Sequence, residues 1–290
     1  MGPAHRFGGD WTDEKLAAIG KYLSAYTTAL TGKFKLAYID AFAGTGYRTS
    51  QSSDEDANLI FPDLATTETT KMLDGSAAIA LKTAPRFDKY IFIERDAARC
   101  AALGGLRDGF PGLAADIDIR QGESNAEIQR LCKLNWRAHR AVLFLDPYGM
   151  QVEWETIKAV ADTHAIDLWL LFPLGIGVNR LLTRSGDIPP DWRPSLDRLL
   201  GTTDWWDAFY KVTTIKNLLG EEERRVEKAS VEVIGGYFVD RLRSVFEKVS
   251  EPKVLKNRAN CPLYLLCFAA GNPKGAPIAV GIANHILKVA

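Results

Sequence analysis

Cysteine and histidine are scarce and sit at no ligand spacing: Cys100, Cys132, Cys261 and Cys267 are scattered without a C-x-x-C pair, and there are 4 histidines in 290 residues. That excludes a legible zinc or cluster site and a disulfide-stapled scaffold, and leaves buried free thiols in a reducing compartment as the expectation. Excess charge of one sign is missing too. The 36 basic residues balance 36 acidic ones, whereas a protein gripping many phosphates carries a basic excess or patch. No apolar stretch is long enough to span a bilayer and no secretory leader is legible, so we expect a cytoplasmic protein without membrane contact. What remains, 47% hydrophobic and 25% charged, suffices for one large α/β core with room for an insertion.

Four apolar runs carry the organisation. Tyr38-Ile39-Asp40 leads into Ala41-Phe42-Ala43-Gly44-Thr45-Gly46, and Tyr90-Ile91-Phe92-Ile93 ends in Glu94-Arg95-Asp96. Ile117-Asp118-Ile119-Arg120 precedes Gln121-Gly122-Glu123-Ser124, and Ala141-Val142-Leu143-Phe144-Leu145 ends in Asp146-Pro147-Tyr148-Gly149. Apolar runs separated by helical patterns predict parallel strands buried on both faces, and ligands of such sheets sit at the carboxyl ends of the strands. The acids therefore point at one crevice. Gly44 and Gly46 adopt positive φ without strain and bare their N–H groups to a flat or anionic ligand part; the alternative is a tight turn with no ligand.

The kind of ligand follows from what comes after the glycines. A dinucleotide fingerprint runs straight into a helix with an acid about 20 residues on. Here a polar stretch, Tyr47 to Ser53, follows, and the next helical pattern begins near Gly75. A pyrophosphate is disfavoured. Glu94 offers a carboxylate to the two hydroxyls of a ribose, or is a solvated strand-end acid. Glu123 or Ser124 contacts an adenine edge, unless Ser124 is the N-cap of the helical pattern that follows.

Elsewhere, Trp11 to Leu30 is an amphipathic helical pattern with Thr12 as a candidate N-cap. Asp167 to Phe172 is a fifth strand, Lys253 to Asn257 and Leu263 to Ala270 are two more, and Val233 to Phe246 and Ile278 to Leu287 are helices. The segment from Ser185 to Lys228, with Trp192, Trp205, Trp206, Phe209 and Tyr210, predicts a helical insertion. It serves as a lid, substrate reader or partner surface, or caps its own aromatics. Arg180 with Arg184, and Lys253 with Lys256 and Arg258, are local basic clusters that a solvated face also explains.

These motifs together resemble the class I S-adenosylmethionine-dependent methyltransferases, and more narrowly the three-Cys-motif partner proteins, through Trp11 to Leu16, Tyr38 to Gly46, Gly75 to Leu81, Phe92 to Asp96 and Leu145 to Gly149. The resemblance implies a Rossmann-like α/β fold with a mostly parallel seven-stranded sheet and an antiparallel edge strand. It also implies S-adenosylmethionine as cofactor and a partner protein that bears the three cysteines. It assigns the methionine end to Asp40, Gly44 and Gly46, the ribose to Glu94 and the adenine to Glu123 or Ser124, and counts Phe42, Ala43 and Arg95 among the cofactor-binding residues. Asp146, Pro147 and Tyr148 resemble the Asp/Asn-Pro-Pro-Tyr/Phe tetrapeptide of nucleic-acid amino methyltransferases, which holds a flipped base of DNA or RNA. The second proline is absent. A regulatory subunit that binds the cofactor without catalysis is the alternative, as is a Pro147 that merely stops the strand. None of the four histidines lies in these motifs, so none is expected as a base.

Overall fold

The computed structural model describes residues 10–43, 75–147, 149–216 and 222–289. Helix α1 (Asp10–Leu30) buries Trp11, Ala18, Ile19, Tyr22, Leu23 and Tyr26 along one stripe, as its apolar spacing demands. It begins two residues before Thr12, so Thr12 is not the cap. Its Oγ1 is buried and lacks a hydrogen-bond partner among the described residues.

Strand and helix then alternate: β1 (Lys35–Asp40), α2 (75–82), β2 (Lys89–Glu94), α3 (Ala97–Gly109), β3 (Ile117–Gln121), α4 (Ser124–Cys132), β4 (His139–Leu145), α5 (Trp154–Asp162) and β5 (Ile166–Phe172). Later come α8 (Val231–Arg243), β8 (Lys248–Val249), β9 (Lys253–Lys256), β10 (Pro262–Ala270) and α9 (Ala276–Val289). The first five strands are mutually parallel, and the sheet order is β3-β2-β1-β4-β5-β10-β8, with β9 also on β10. β10 runs antiparallel to β5, and β8 and β9 follow one another along its outer side. They share one position, so the sheet is seven strands wide. This is a Rossmann-like α/β architecture of the class I methyltransferase type, with its antiparallel pairing at one edge of the sheet.

Side-chain alternation splits the core into two layers. Tyr38, Phe92, Val142, Phe144, Trp169 and Phe268 face α1, α2, α3 and α9. Ile39, Ile91, Leu143, Leu168 and Phe172 face α4, α5 and α8. Because side chains repeat every two residues, Asp40, Glu94 and Asp146 continue the series of Tyr38, Phe92 and Phe144. All three acids emerge on the α1 side.

The segment expected to be helical is only partly so. α6 (Arg193–Leu200) and α7 (Trp205–Phe209) are followed by an antiparallel ribbon, β6 (Tyr210–Lys216) with β7 (Glu222–Lys228). The reason is local. Val212-Thr213-Thr214-Ile215 is a β-branched run, and cross-strand partners Lys211 and Glu227 are of opposite charge. Trp205 is fully buried, with its Nε1 donating to Asp197 Oδ1 at 2.6 Å. Trp206 lies at the ribbon's base, donating to the Gly186 carbonyl at 3.2 Å and packing on Tyr210.

Candidate functional site

The site grows from the carboxyl edge of β1, β2 and β4. Asp40 ends β1 and is buried; Ser76 Oγ on α2 donates to its Oδ2 at 2.8 Å, with the Tyr38 hydroxyl 3.5 Å away. Burial pushes its carboxyl up to about 7, and the nearby Asp146 charge adds to this, against hydrogen bonds from Ser76 and the Phe42 N–H and the charge of Lys15. Phe42 is half-buried and Ala43 buried, its N–H donating to the Ile93 carbonyl, which ties the loop after β1 to the end of β2. Gly44 and Gly46 lie outside the described residues, as does Tyr148.

Glu94 ends β2 and is buried. Its Oε1 accepts the Asp96 N–H at 2.7 Å, and Arg99 Nη1 stands 3.9 Å from the same oxygen. Its Oε2 has no hydrogen bond among the described residues, so one carboxylate oxygen remains to accept from a hydroxyl. Arg95 is exposed. Asp96 rather than Arg95 shapes the turn, capping α3 through Arg99 N at 2.9 Å.

After β3 the sequence expectation divides. Glu123 is the N-cap of α4, its carboxylate accepting from Asn125 N at 3.0 Å and Ala126 N at 2.7 Å. Ser124 is therefore not the cap. It is buried, and its hydroxyl donates to the Ala41 carbonyl, stitching α4 to the end of β1. Asn125, also buried, binds the Gln151 carbonyl and receives Thr156 Oγ1, holding the loop after β4 in place.

Asp146 stands just beyond β4 with its side chain 16% exposed. It meets a residue that the sequence did not single out: Lys15, whose side chain is wholly buried, lies 2.7 Å from Asp146 Oδ2. The Lys15 ammonium lies 5.2 Å from the Trp11 ring centroid and 5.9 Å from that of Phe144. Pro147 is buried and Gly149 takes a left-handed φ of 73°. Lys15, Tyr38 and Ser76 thus join the sequence-derived acids in one cluster. The pattern hinted at Lys15, because at i+4 from Trp11 it falls on the buried face of α1 rather than on the solvent face.

The thiols are not part of this cluster. Cys267 is buried as expected, but Cys261 is exposed, and Cys100 and Cys132 are half-buried. Burial pushes the Cys132 thiol up to about 12 and raises those of Cys100 and Cys267 as well. Among the described residues no group of His, Cys, Asp and Glu is arranged to hold a metal ion, and no helix is long and apolar enough to cross a membrane.

No protein-family model matches the chain, and no curated protein matches it. Solved structures of similar shape include a Legionella pneumophila protein of the DUF519 family, at 12% identity and a TM-score of 0.49 over 97% of this chain and 93% of that one. A spermidine synthase from Thermotoga maritima aligns at 12% identity with a TM-score of 0.41, covering 91% of this chain, which spans 60% of that enzyme's length. An Escherichia coli protein, yhhF, provisionally named a methyltransferase, aligns at 11% identity with a TM-score of 0.30, covering 73% of this chain and 86% of its own. The fold assignment rests on strand order, direction and register, not on these likenesses.

Proposed function

We propose that this chain is an S-adenosylmethionine-dependent methyltransferase acting on a base amine of DNA or RNA, in concert with a three-Cys-motif partner protein. The observation that carries the reading is the convergence of Asp40, Glu94 and Asp146 on one side of the carboxyl edge, with Ser124 and Glu123 bounding it at α4. The residues suit the cofactor. Glu94 keeps one oxygen for ribose hydroxyls, Phe42 and Ala43 frame the methionine end with Gly44 and Gly46, and Asp40 supplies a buried acid beside them. Bound there, the cofactor supplies a methyl group on a sulfonium. Asp146 orients the acceptor amine through the oxygen that Lys15 does not bond, Pro147 adds its carbonyl, and Tyr148 stacks on the base. The acceptor nitrogen would gain the methyl as the sulfonium C–S bond breaks, leaving the thioether S-adenosylhomocysteine, and its proton would pass to solvent.

A second reading has its own support. Asp146 Oδ2 is already bonded to Lys15, and the tetrapeptide lacks its second proline, both of which suit a regulatory subunit that binds the cofactor and supports its partner. Methyl transfer from labelled S-adenosylmethionine to nucleic acid from cells lacking this chain, with the partner present, separates the two. Asp146→Ala removes the oxygens that would orient the acceptor and should abolish transfer while leaving the cofactor affinity of the folded protein nearly intact. Tight cofactor binding with no transfer to any nucleic acid assigns the regulatory role.

A further inference from the structure

The formal charge of zero conceals a segregated edge. Asp40, Glu94, Asp96 and Glu123 occupy the ends of β1 to β3, whereas Arg180 follows β5 and Lys256 and Arg258 border the turn between β9 and β10. That turn belongs to the same edge, because Leu265 of β10 pairs with Phe172, the last residue of β5, and Pro262 pairs with Lys256. The chain after β5 touches it as well: a Cβ on Gly175 would fall 1.9 Å from the Pro262 carbonyl oxygen. Asp146 lies between the two halves.

A cavity of roughly 360 Å³ opens between this turn and the first turns of α1, lined by Trp11, Glu14, Lys256, Asn257, Arg258 and Asn260. Glu14 is matched by Lys253 at 3.1 Å. Lys256 and Arg258 form no ion pair among the described residues, although Lys256 makes itself felt at the exposed Glu232 of α8. The turn is locked by its own bonds. Asn257 Oδ1 accepts from Ala259 N at 3.0 Å and Cys261 N at 2.9 Å, Asn260 N donates to the Asn257 carbonyl at 2.9 Å, and Asn260 takes a left-handed φ of 59°. Trp11 forms the floor, and its ring is the one beneath the Lys15 ammonium that grips Asp146. The Trp11 ring and the Lys15 ammonium therefore link the cavity to Asp146.

We propose that this cavity is a phosphodiester subsite, in which Lys256 and Arg258 hold the backbone of a nucleic acid whose target base reaches Asp146. The inference rests on the methyltransferase reading and gives its substrate a place. Two cations and two amide side chains held by a rigid turn match phosphate and sugar contacts, which set register without reading sequence.

The test uses the full chain and a short labelled single strand, made once as DNA and once as RNA, followed by fluorescence anisotropy from about 50 to 200 mM salt. Lys256→Glu with Arg258→Glu should weaken binding on the order of ten-fold or more. It should also flatten the salt dependence by about 1.4 in log–log slope, at roughly 0.7 per lost contact. A control with Lys21→Glu, exposed on α1 beyond the turns that border the cavity, and Lys82→Glu, exposed on α2, changes net charge equally and should leave most of the affinity. S-adenosylhomocysteine binding, measured on the same preparations, should be unchanged in all three proteins. A hairpin variant no weaker than the control overturns the subsite, as does a wild type that binds neither strand at low salt. If wild type binds the strand through these cations but binds no S-adenosylhomocysteine, the subsite stands and the methyltransferase reading falls.

Discussion

At the scale of single residues, the site is a balance of buried charge. Asp146 and Lys15 are unequal partners: the lysine side chain is fully buried and the aspartate is partly open to water. Removing the acid takes the ion-pair partner from a fully buried ammonium, so Asp146→Ala should cost about 3 to 5 kcal/mol, as for other buried pairs that lose one partner. Lys15→Met leaves an acid that water still reaches and should cost less. Denaturant melts of the two variants check the order, and a reversed order contradicts the burial asymmetry. Asp40 makes a second prediction. A folded carboxyl pushed up to about 7 keeps a proton that the unfolded chain has released above roughly pH 4. Its contribution to stability is therefore fully present below that pH and is lost as the pH rises toward 7. Asp167, buried against Tyr22 at the opposite edge, is pushed up to about 7 as well and acts in the same window. Asp40→Asn stays neutral throughout, so between about pH 5 and pH 8 it should lose less stability than wild type by a few kcal/mol at most. Equal losses by urea unfolding would show that Asp40 is ionised in the folded protein.

At the scale of elements, the two tryptophans of the inserted segment have different duties. Trp205 is core, wedged with Phe209 under the segment and hydrogen-bonded to Asp197, so Trp205→Ala should cost about 3 to 5 kcal/mol. Trp206 is half-buried, donates to the Gly186 carbonyl and packs on Tyr210 at the start of the ribbon. Its replacement should cost less globally while raising hydrogen exchange of the ribbon amides, since an isolated two-stranded ribbon is marginal in water. Equal loss of stability in both variants would deny that division. The βα alternation was legible because β1, β2 and β4 are apolar runs closed by an acid and β5 is an apolar run closed by Pro173, and α1 was legible because its stripe recurs at helical spacing. The ribbon was not, because its β-branched run, Val212 to Ile215, follows an aromatic cluster whose spacing suggests a helix. The N-cap of α4 was misplaced by one residue, since Glu123 and Ser124 both carry a side-chain oxygen and only the backbone turn decides which one meets the free N–H groups. Lys15 was read past for a simpler reason: a lysine on an amphipathic helix ordinarily faces solvent, and the acid that draws this one inward is 131 residues away.

At the scale of the whole molecule, the strand order brings acids that are far apart in sequence to one edge and segregates them from the cations of the β9–β10 turn. The acid-bearing ends of β1 to β3 and the cation-bearing turn thus lie apart along one edge in a chain that is neutral overall. The central claim is that the acidic half holds S-adenosylmethionine, and its most direct test is a titration of the full chain with that compound, with S-adenosylhomocysteine and with NAD, read by calorimetry and by the melting midpoint. We predict binding of the first two, with about 2.7 kcal/mol of stabilisation at 100 times the dissociation constant and a midpoint rise of roughly 2 to 4 °C per kcal/mol. Glu94→Ala should weaken both by about 1.5 to 3 kcal/mol per lost hydrogen bond. A folded protein that binds neither compound, or that is stabilised by NAD alone, would contradict the account.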